Sequence, residues 1–297
     1  MKQIKLITFD LDDTFWDIGP VIINAELTTR KWLEKKVGEV DWGNMESFLA
    51  LRKDLAEKDS SLYWDLGKLR REIFRVKLAP ITSNEKELND LVEESFNYFL
   101  DKRHEIIFYD GVIDALKDLS TRYELGVLTN GNADINRLNI GEYFKFSVSS
   151  VDVQSNKPDK GHFQKALDLS GFSADEVLHI GDHQINDVVG AINTGMKAIW
   201  FNKEGVDWEQ EYLKPEEISD RHTKIPCTRK NSTIIHKHRI GSKENQDSKK
   251  TSETPFKSIS GTCTRITNWI RDENKNRAKR KLKNHITKGS LIPTLRE

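Results

Sequence analysis

Three carboxylates fall within four positions of the segment TFDLDDTFWD, at Asp10, Asp12 and Asp13. They follow a short apolar run, residues 5–9, that reads as a buried strand whose carboxyl end delivers polar groups to a surface. Carboxylates this close repel one another, and each raises the pKa of its neighbours unless a cation or hydrogen-bond donors compensate. Mg²⁺ suits such a place, because a hard cation takes one or two carboxylates and keeps positions for water and phosphate oxygens. An acidic turn that caps a helix or sits in solvent is the lesser but competing reading of Asp10 and Asp12, so this cluster alone does not decide.

Three further segments carry polar groups to the ends of expected strands. Thr129 closes a second strand in LTNGN, and the backbone donors of Asn130 and Gly131 come next, where an anion can be held. Lys157 precedes Pro158 in SNKPD, which stiffens the chain ahead of a helix and can direct the ammonium toward the acidic cluster. VLHIGDHQINDVVGA ends a strand with Asp182 and opens a helix near Asp187. Singly, Thr129 is an ordinary strand end, Lys157 a solvated cation and the two aspartates helix caps. Jointly, four such features stand in order at the ends of the predicted strands, which unrelated local roles do not produce.

The elements that must position these groups are readable in the hydrophobic pattern. Residues 5–9, 124–129, 146–149, 177–180 and 197–201 read as strands, with helical patterns such as 161–169 and 187–193 between them. Strand and helix in alternation predict an α/β fold, a Rossmann-like doubly wound parallel sheet with its sites at the carboxyl ends of the strands. Between the first two strands, residues 22–36, 45–57 and 62–78 read as helices. Thr82 with Glu85 makes an expected capping box ahead of Leu88, Leu91, Val92, Phe96, Phe99 and Leu100, a helix ending near His104. An all-helical cap is therefore expected at 18–104, inserted after strand one into a core formed by 1–17 and 105–220. Its aromatic residues, Trp32, Trp42, Tyr63, Trp64, Phe74, Phe96, Tyr98 and Phe99, are expected to be bundle core and not a ligand box.

Composition divides the chain. Its 297 residues carry 47 basic and 47 acidic side chains, yet residues 1–220 hold 27 basic against 41 acidic, a charge of −14, and 221–297 hold 20 against 6, a charge of +14. The basic segment has few large apolar residues and is expected to be disordered, or the product of a reading-frame error or fusion. Binding of RNA or an acidic surface is the rival reading for it, but Phe256 and Trp269 are its only aromatic residues, so nucleic acid is not the expected partner. Cys227 and Cys263 both lie there, too few for a disulfide framework and without metal-ligand spacing. No apolar run approaches the roughly 18 to 20 residues that span a bilayer. MKQIKLITFD runs into the acidic cluster instead of a cleavage site, and a cytoplasmic protein is expected.

Asp-x-Asp-x-Thr from Asp10 to Thr14, Thr129 at the second strand, Lys157 before a proline, and Gly-Asp-x-x-x-x-Asp from Gly181 to Asp187 together resemble the haloacid dehalogenase-like (HAD) hydrolase superfamily, in its helical-cap subclass. The resemblance covers about residues 2–208. Within the superfamily, TFDLDDTFWDIGPVI, LTNGN leading to GEYF, and HIGDHQINDVVGAINTGM are most similar to bacterial YigB-type phosphatases. Those act on flavin mononucleotide (FMN) and on 5-amino-6-(5-phospho-D-ribitylamino)uracil, in riboflavin metabolism. Other sugar or nucleotide phosphates stay open as substrates.

The resemblance implies a Mg²⁺-dependent phosphatase for a small-molecule phosphate ester. Asp10 would be the nucleophile that forms an aspartyl-phosphate, and Asp12 the acid and then the base. The Asp10 and Asp182 carboxylates and the Asp12 main-chain carbonyl would hold Mg²⁺, with Asp187 behind them orienting a water or Lys157. Thr129, Asn130 and Lys157 would bind phosphoryl oxygens. In the family's dehalogenases the position of Asp12 is not Asp and no metal is required. The cap would select the substrate. Trp16 at the hinge, and Lys68 and Arg70 beside Asp65, are the candidates there, with salt bridges on a solvated helix face as the competing reading of the charged ones.

Overall fold

The computed structural model describes residues 3–203, 205–210 and 216–219. The expectations for 221–297, including both cysteines, fall outside the described residues. Six parallel strands form one sheet: β1 (Leu6–Phe9), β2 (Glu124–Thr129), β3 (Phe146–Ser149), β4 (Val177–Gly181), β5 (Lys197–Asn202) and β6 (Glu216–Ser219), in the order β3-β2-β1-β4-β5-β6. The expected doubly wound α/β architecture is present, and β6 extends it. No strand was anticipated at β6, because EEIS is too short and too acidic to carry a strand pattern. It is recruited by pairing along β5 from Ile199 to Asn202.

Every residue of β1 and of β4 is buried, as strands covered on both faces require. Alternation sends Ile7 and Phe9 into one apolar layer with Val127, Leu178 and Ile180, and Leu6 into the other with Leu128, Val177 and Trp200. Helices α5 (Val112–Ser120), α6 (Ser150–Val153), α7 (Gly161–Ser170) and α8 (Gly190–Asn193) connect the strands. No helix among the described residues is long and apolar enough to cross a membrane.

The chain between β1 and β2 folds as α1 (Ile18–Val37), α2 (Met45–Lys58), α3 (Leu66–Leu78) and α4 (Glu85–Arg103). Asp17 caps α1 by accepting from the Gly19 amide, so this helix starts four residues before the apolar periodicity that announced it. The expected helix 62–78 is divided. A 3₁₀ turn at Ser60–Tyr63 takes its first residues, and Asp65 starts α3 by accepting from the Lys68 amide at 2.8 Å. The expected Thr82 capping box is replaced by Asn84, whose side chain accepts from the Glu87 amide, while the Thr82 hydroxyl turns back to the Leu78 carbonyl. Asn at that place competes better because its carbonyl oxygen reaches the third amide of the helix. α1, α3 and α4 share a core of Ala25, Leu33, Phe74, Leu78, Leu88, Val92 and Phe99. Phe74, Phe96 and Phe99 are buried in line with expectation, and Trp32 stacks on Tyr98. Tyr63 is not core: it is 59% exposed.

Candidate active site

β1 lies between β2 and β4, so the chain leaves its carboxyl end in a crevice where the strand order reverses. Asp10 is the first residue past β1. Its amide donates to the Ile180 carbonyl of β4 at 2.9 Å, which holds the carboxylate at the sheet edge. The chain then folds into a tight turn, with Thr14 and Phe15 amides on the Leu11 carbonyl and the Asp13 amide on the Trp16 carbonyl. Asp13 stands at φ 61°, a left-handed position that aspartate tolerates better than most side chains. This turn places Asp10 and Asp12 on the same side as the ends of β2 and β4.

Lys157 is the hub. Its ammonium, 3% exposed as a residue, donates to Asp10 Oδ1 at 2.7 Å, Asp187 Oδ1 at 2.6 Å and the Leu128 carbonyl of β2 at 2.6 Å. Those three acceptors satisfy all three of its protons. The loop that carries it is gripped by Asn130, which accepts from the Lys157 amide and donates to the Lys157 carbonyl. The Asn130 side chain is therefore committed to the lysine loop, and its backbone donor, the group expected to hold an anion, is what it can still offer one. Thr129 is buried at the end of β2. Its hydroxyl accepts from the Gly131 amide at 2.9 Å and keeps its own proton to donate.

Asp182 and Asp187 are separated by a wide π-helical turn, Gln184–Val189, capped by His183. That turn carries Asp187 back over the end of β4, close enough that a Cβ on Gly181 would stand 2.3 Å from the Asp187 carboxyl carbon. Only glycine fits at 181. Asp187 Oδ2 accepts from the His183 amide, and Oδ1 is shared between Lys157 and His179 Nε2 at 3.2 Å. His179, wholly buried on β4, contacts Thr8 Oγ1 through Nδ1 at 2.9 Å. Burial holds its pKa down, so the imidazole is neutral, donating to Asp187 and accepting from Thr8. Sequence reasoning missed His179, because within a strand its pattern signals burial and nothing more.

Three carboxylates surround one ammonium, and charge is left over. Burial pushes the Asp10 carboxyl well above its usual range, against the pull of Lys157 and with Asp187 and Asp182 adding repulsion. Burial also raises Asp182 to about 7, reinforced by Asp187 and Asp13. For Asp187 burial acts upward too, but Lys157 and His179 outweigh it and hold the group well below the carboxylate range. Burial alone would lower Lys157, yet Asp10 and Asp187 keep it above its usual value and charged. Asp10, Asp182 and Asp187 each offer an oxygen within 4.8 Å of the others. Both Asp187 oxygens are already occupied by Lys157, His179 and the His183 amide, whereas Asp182 has a long 3.4 Å contact from Thr14 Oγ1. The donor set thus fits a hard divalent cation between Asp10 and Asp182, with Asp187 anchoring Lys157 behind them.

Asp12 faces a different partner. Arg103, the last residue of α4, donates through Nη2 to both Asp12 oxygens at 2.7 and 2.8 Å. No local pattern marks this contact, since the pair stands 91 positions apart. The expected cap residues are committed elsewhere. Trp16 is wholly buried against Phe15 and Phe108, so no ligand reaches it. Arg70 pairs with Glu26 and lies 3.5 Å from the Phe99 ring centroid, packed within the helical layer. Lys68 spans Asp59 and Ser61 on the surface.

Comparison with known proteins gives one consistent picture. A family model described as haloacid dehalogenase-like hydrolase matches residues 7–201. The 5-amino-6-(5-phospho-D-ribitylamino)uracil phosphatase YigB of Escherichia coli K12 is 28% identical over 223 residues, covering 74% of this chain and 94% of its own. A glyceraldehyde 3-phosphate phosphatase of Pyrococcus abyssi is 30% identical, covering 67% and 82%. Among solved structures, one described as a 2-haloacid dehalogenase from Pseudomonas syringae pv. tomato DC3000 superposes with a TM-score of 0.69 at 37% identity, over 73% of this chain and 94% of that one.

Proposed function

The chain belongs to the haloacid dehalogenase-like hydrolase family, and from that premise we propose that it is a phosphatase that hydrolyses a small-molecule phosphate ester through an aspartyl-phosphate. The observation that carries this reading over dehalogenation is Asp12. A halide departs as a weak base and needs no proton, whereas an alkoxide is a strong base and needs one delivered as its bond breaks. A second carboxyl group two residues from the nucleophile serves the second reaction only.

In the proposed reaction an Asp10 oxygen attacks phosphorus as the bond to the leaving oxygen breaks, and Asp12 gives that oxygen its proton. Water then attacks phosphorus while Asp12 takes its proton back, freeing Asp10 and inorganic phosphate. The Thr129 hydroxyl meets a phosphoryl oxygen, and as Asp10 turns to phosphorus the Lys157 proton that it held passes to another, both donors being positioned before charge redistributes. The Asp10 and Asp182 carboxylates with the Asp12 main-chain carbonyl would hold Mg²⁺, which when bound supplies positive charge between nucleophile and phosphoryl group. The carboxylate excess described above supports this cofactor, because ionising Asp10 in so dry a place needs a further cation.

For the substrate, FMN and 5-amino-6-(5-phospho-D-ribitylamino)uracil are the proposed candidates, on the motif likeness and on the similarity to YigB. A cytoplasmic location is part of the same proposal. Mg²⁺-dependent phosphate release across a panel of phosphorylated metabolites tests it. Preference for these two by tenfold or more over sugar phosphates is expected, and indifference among them removes the flavin assignment while leaving the phosphatase.

Cation binding carries its own pH signature. Asp182 titrates near 7 in the folded chain against about 3.9 unfolded. Between those values the folded form keeps a proton that the unfolded form has lost, so without metal the Asp182 contribution is present below the lower value and is lost as pH rises through the upper one. Mg²⁺ binds the ionised form and recovers it. The rise in Tm on adding Mg²⁺ should therefore be larger at pH 8 than at pH 5.5, and Asp182→Asn should flatten the difference. Equal shifts at both pH values would remove Asp182 from the cation site.

A further inference from the structure

Arg103 is 1% exposed, and a guanidinium does not shed its charge, so its burial has to be compensated by its partners. Nη2 spans both Asp12 oxygens, Nε donates to Asn132 Oδ1 at 3.1 Å, and the guanidinium carbon lies 5.8 Å from the Trp16 ring centroid. Among the described residues Nη1 has no acceptor, and neither has the buried indole N–H of Trp16. The geometry leaves one prong of the guanidinium unused while Nη2 fixes both Asp12 oxygens. From the other side, a Cβ on Gly131 would stand 2.5 Å from Asp12 Oδ2, so the carboxylate sits in a slot between the β2 loop backbone and Arg103.

A purely mechanical tie between α4 and the sheet layer would also pair Arg103 with something acidic. That tie is already made nearby. His104 Nε2 accepts from the Asp134 amide at 2.9 Å, and Arg137 pairs with Asp101 at 2.7 Å. We propose that Arg103, held by Asn132, is a positioning residue for proton transfer: it sets the rotamer of Asp12 so that the carboxyl proton is aimed at the leaving oxygen. This rests on the phosphatase reading. It gives the last residue of the helical layer a part in the chemistry of the sheet edge, through Asp12 and without contact to the phosphoryl group.

Proton delivery matters most for the most basic leaving group, and that supplies a readout a merely structural arginine would not move. A series of aryl phosphates whose phenols span a range of pKa is compared for the wild type, Arg103→Met, Arg103→Lys and Asn132→Ala, with thermal melts to confirm folding. Arg103→Met should lower kcat with little change in KM, by a factor that grows along the series to roughly 10² for the least acidic phenol, the low end of what general acid help supplies. Arg103→Lys and the gentler Asn132→Ala should show smaller losses with the same slope. In an Asp12→Asn background, assayed with the most acidic phenol, Arg103→Met should add nothing, as expected of residues acting as one unit. A uniform loss across the series, or losses that multiply with Asp12→Asn, overturns the positioning role alone. Undiminished turnover by Asp12→Asn on every ester removes the acid–base role of Asp12 and the positioning role with it, and a wild type that releases phosphate from none of the esters overturns the phosphatase reading.

Discussion

Asp10→Asn is expected to lower kcat for p-nitrophenyl phosphate by at least about 10⁴-fold, the scale on which loss of a nucleophile disables an enzyme. The substitution changes almost nothing but the chemistry. Asparagine has the same shape, and its carbonyl oxygen can still accept from the Lys157 ammonium that bonds Asp10 Oδ1. An amide oxygen is a poor nucleophile, however, and it brings no charge to a site where Asp182 and Asp187 already repel Asp10. The same variant should therefore be no less stable than the wild type in the absence of Mg²⁺, since one of three crowded carboxyl groups is neutralised. Activity and stability part company. An acid-quenched, hydroxylamine-sensitive phosphoenzyme should form in the wild type and be absent in Asp10→Asn. Turnover retained by the variant would remove the aspartyl-phosphate from the mechanism.

Lys157→Met is expected to have the opposite profile, costing both activity and stability. The ammonium is buried among Asp10, Asp187 and the Leu128 carbonyl, and removing one partner of a buried ion network commonly costs about 3 to 5 kcal/mol because the other partner is left uncompensated. The cost depends on pH in a definite direction. Lys157 has its pKa raised by folding, so its own contribution is complete below the unfolded value of about 10.4 and is lost only above it. Across neutral pH the wild-type lysine contributes constantly. In the variant, Asp187 loses the partner that holds it ionised, so protonation relieves it as pH falls. Denaturant titrations should show a gap between wild type and variant that is widest near pH 8 and narrows toward pH 5, and Asp187→Asn added to Lys157→Met should recover part of it. A gap independent of pH would mean that the lysine supports the fold by packing its stem and not by charge.

β1, β2, β4 and β5 could be read because each is a largely buried apolar run that leads into a polar residue, a signal contained within a few neighbouring positions. Asp10, Thr129 and Asp182 stand out for the same reason, and Lys157 for the proline that follows it. What stayed hidden is what depends on distance along the chain. Arg103 reads as an ordinary basic residue in the last turn of a helix, where the helix dipole favours one, and nothing nearby marks Asp12 as its partner. Trp16 looked like a hinge aromatic open to a ligand, yet Phe15 and Phe108 close over it. Tyr63 failed in the opposite sense, since a short 3₁₀ turn breaks the periodicity that would have buried it. β6 has no pattern of its own and exists through its neighbour.

The π-type winding between Gln184 and Val189 sets a counting rule for this part of the molecule. An ordinary helix advances about 100° per residue, and a wider coil fits one extra residue into the same span. The spacing from Asp182 to Asp187 therefore belongs to the coil and not to the identities of the intervening side chains. His183 contributes its amide and its capping nitrogen, and Ile185, 41% exposed, contributes little more than length. A deletion in this stretch should cost more than a substitution at Ile185, because a register shift here would turn the last aspartate away from the lysine it serves.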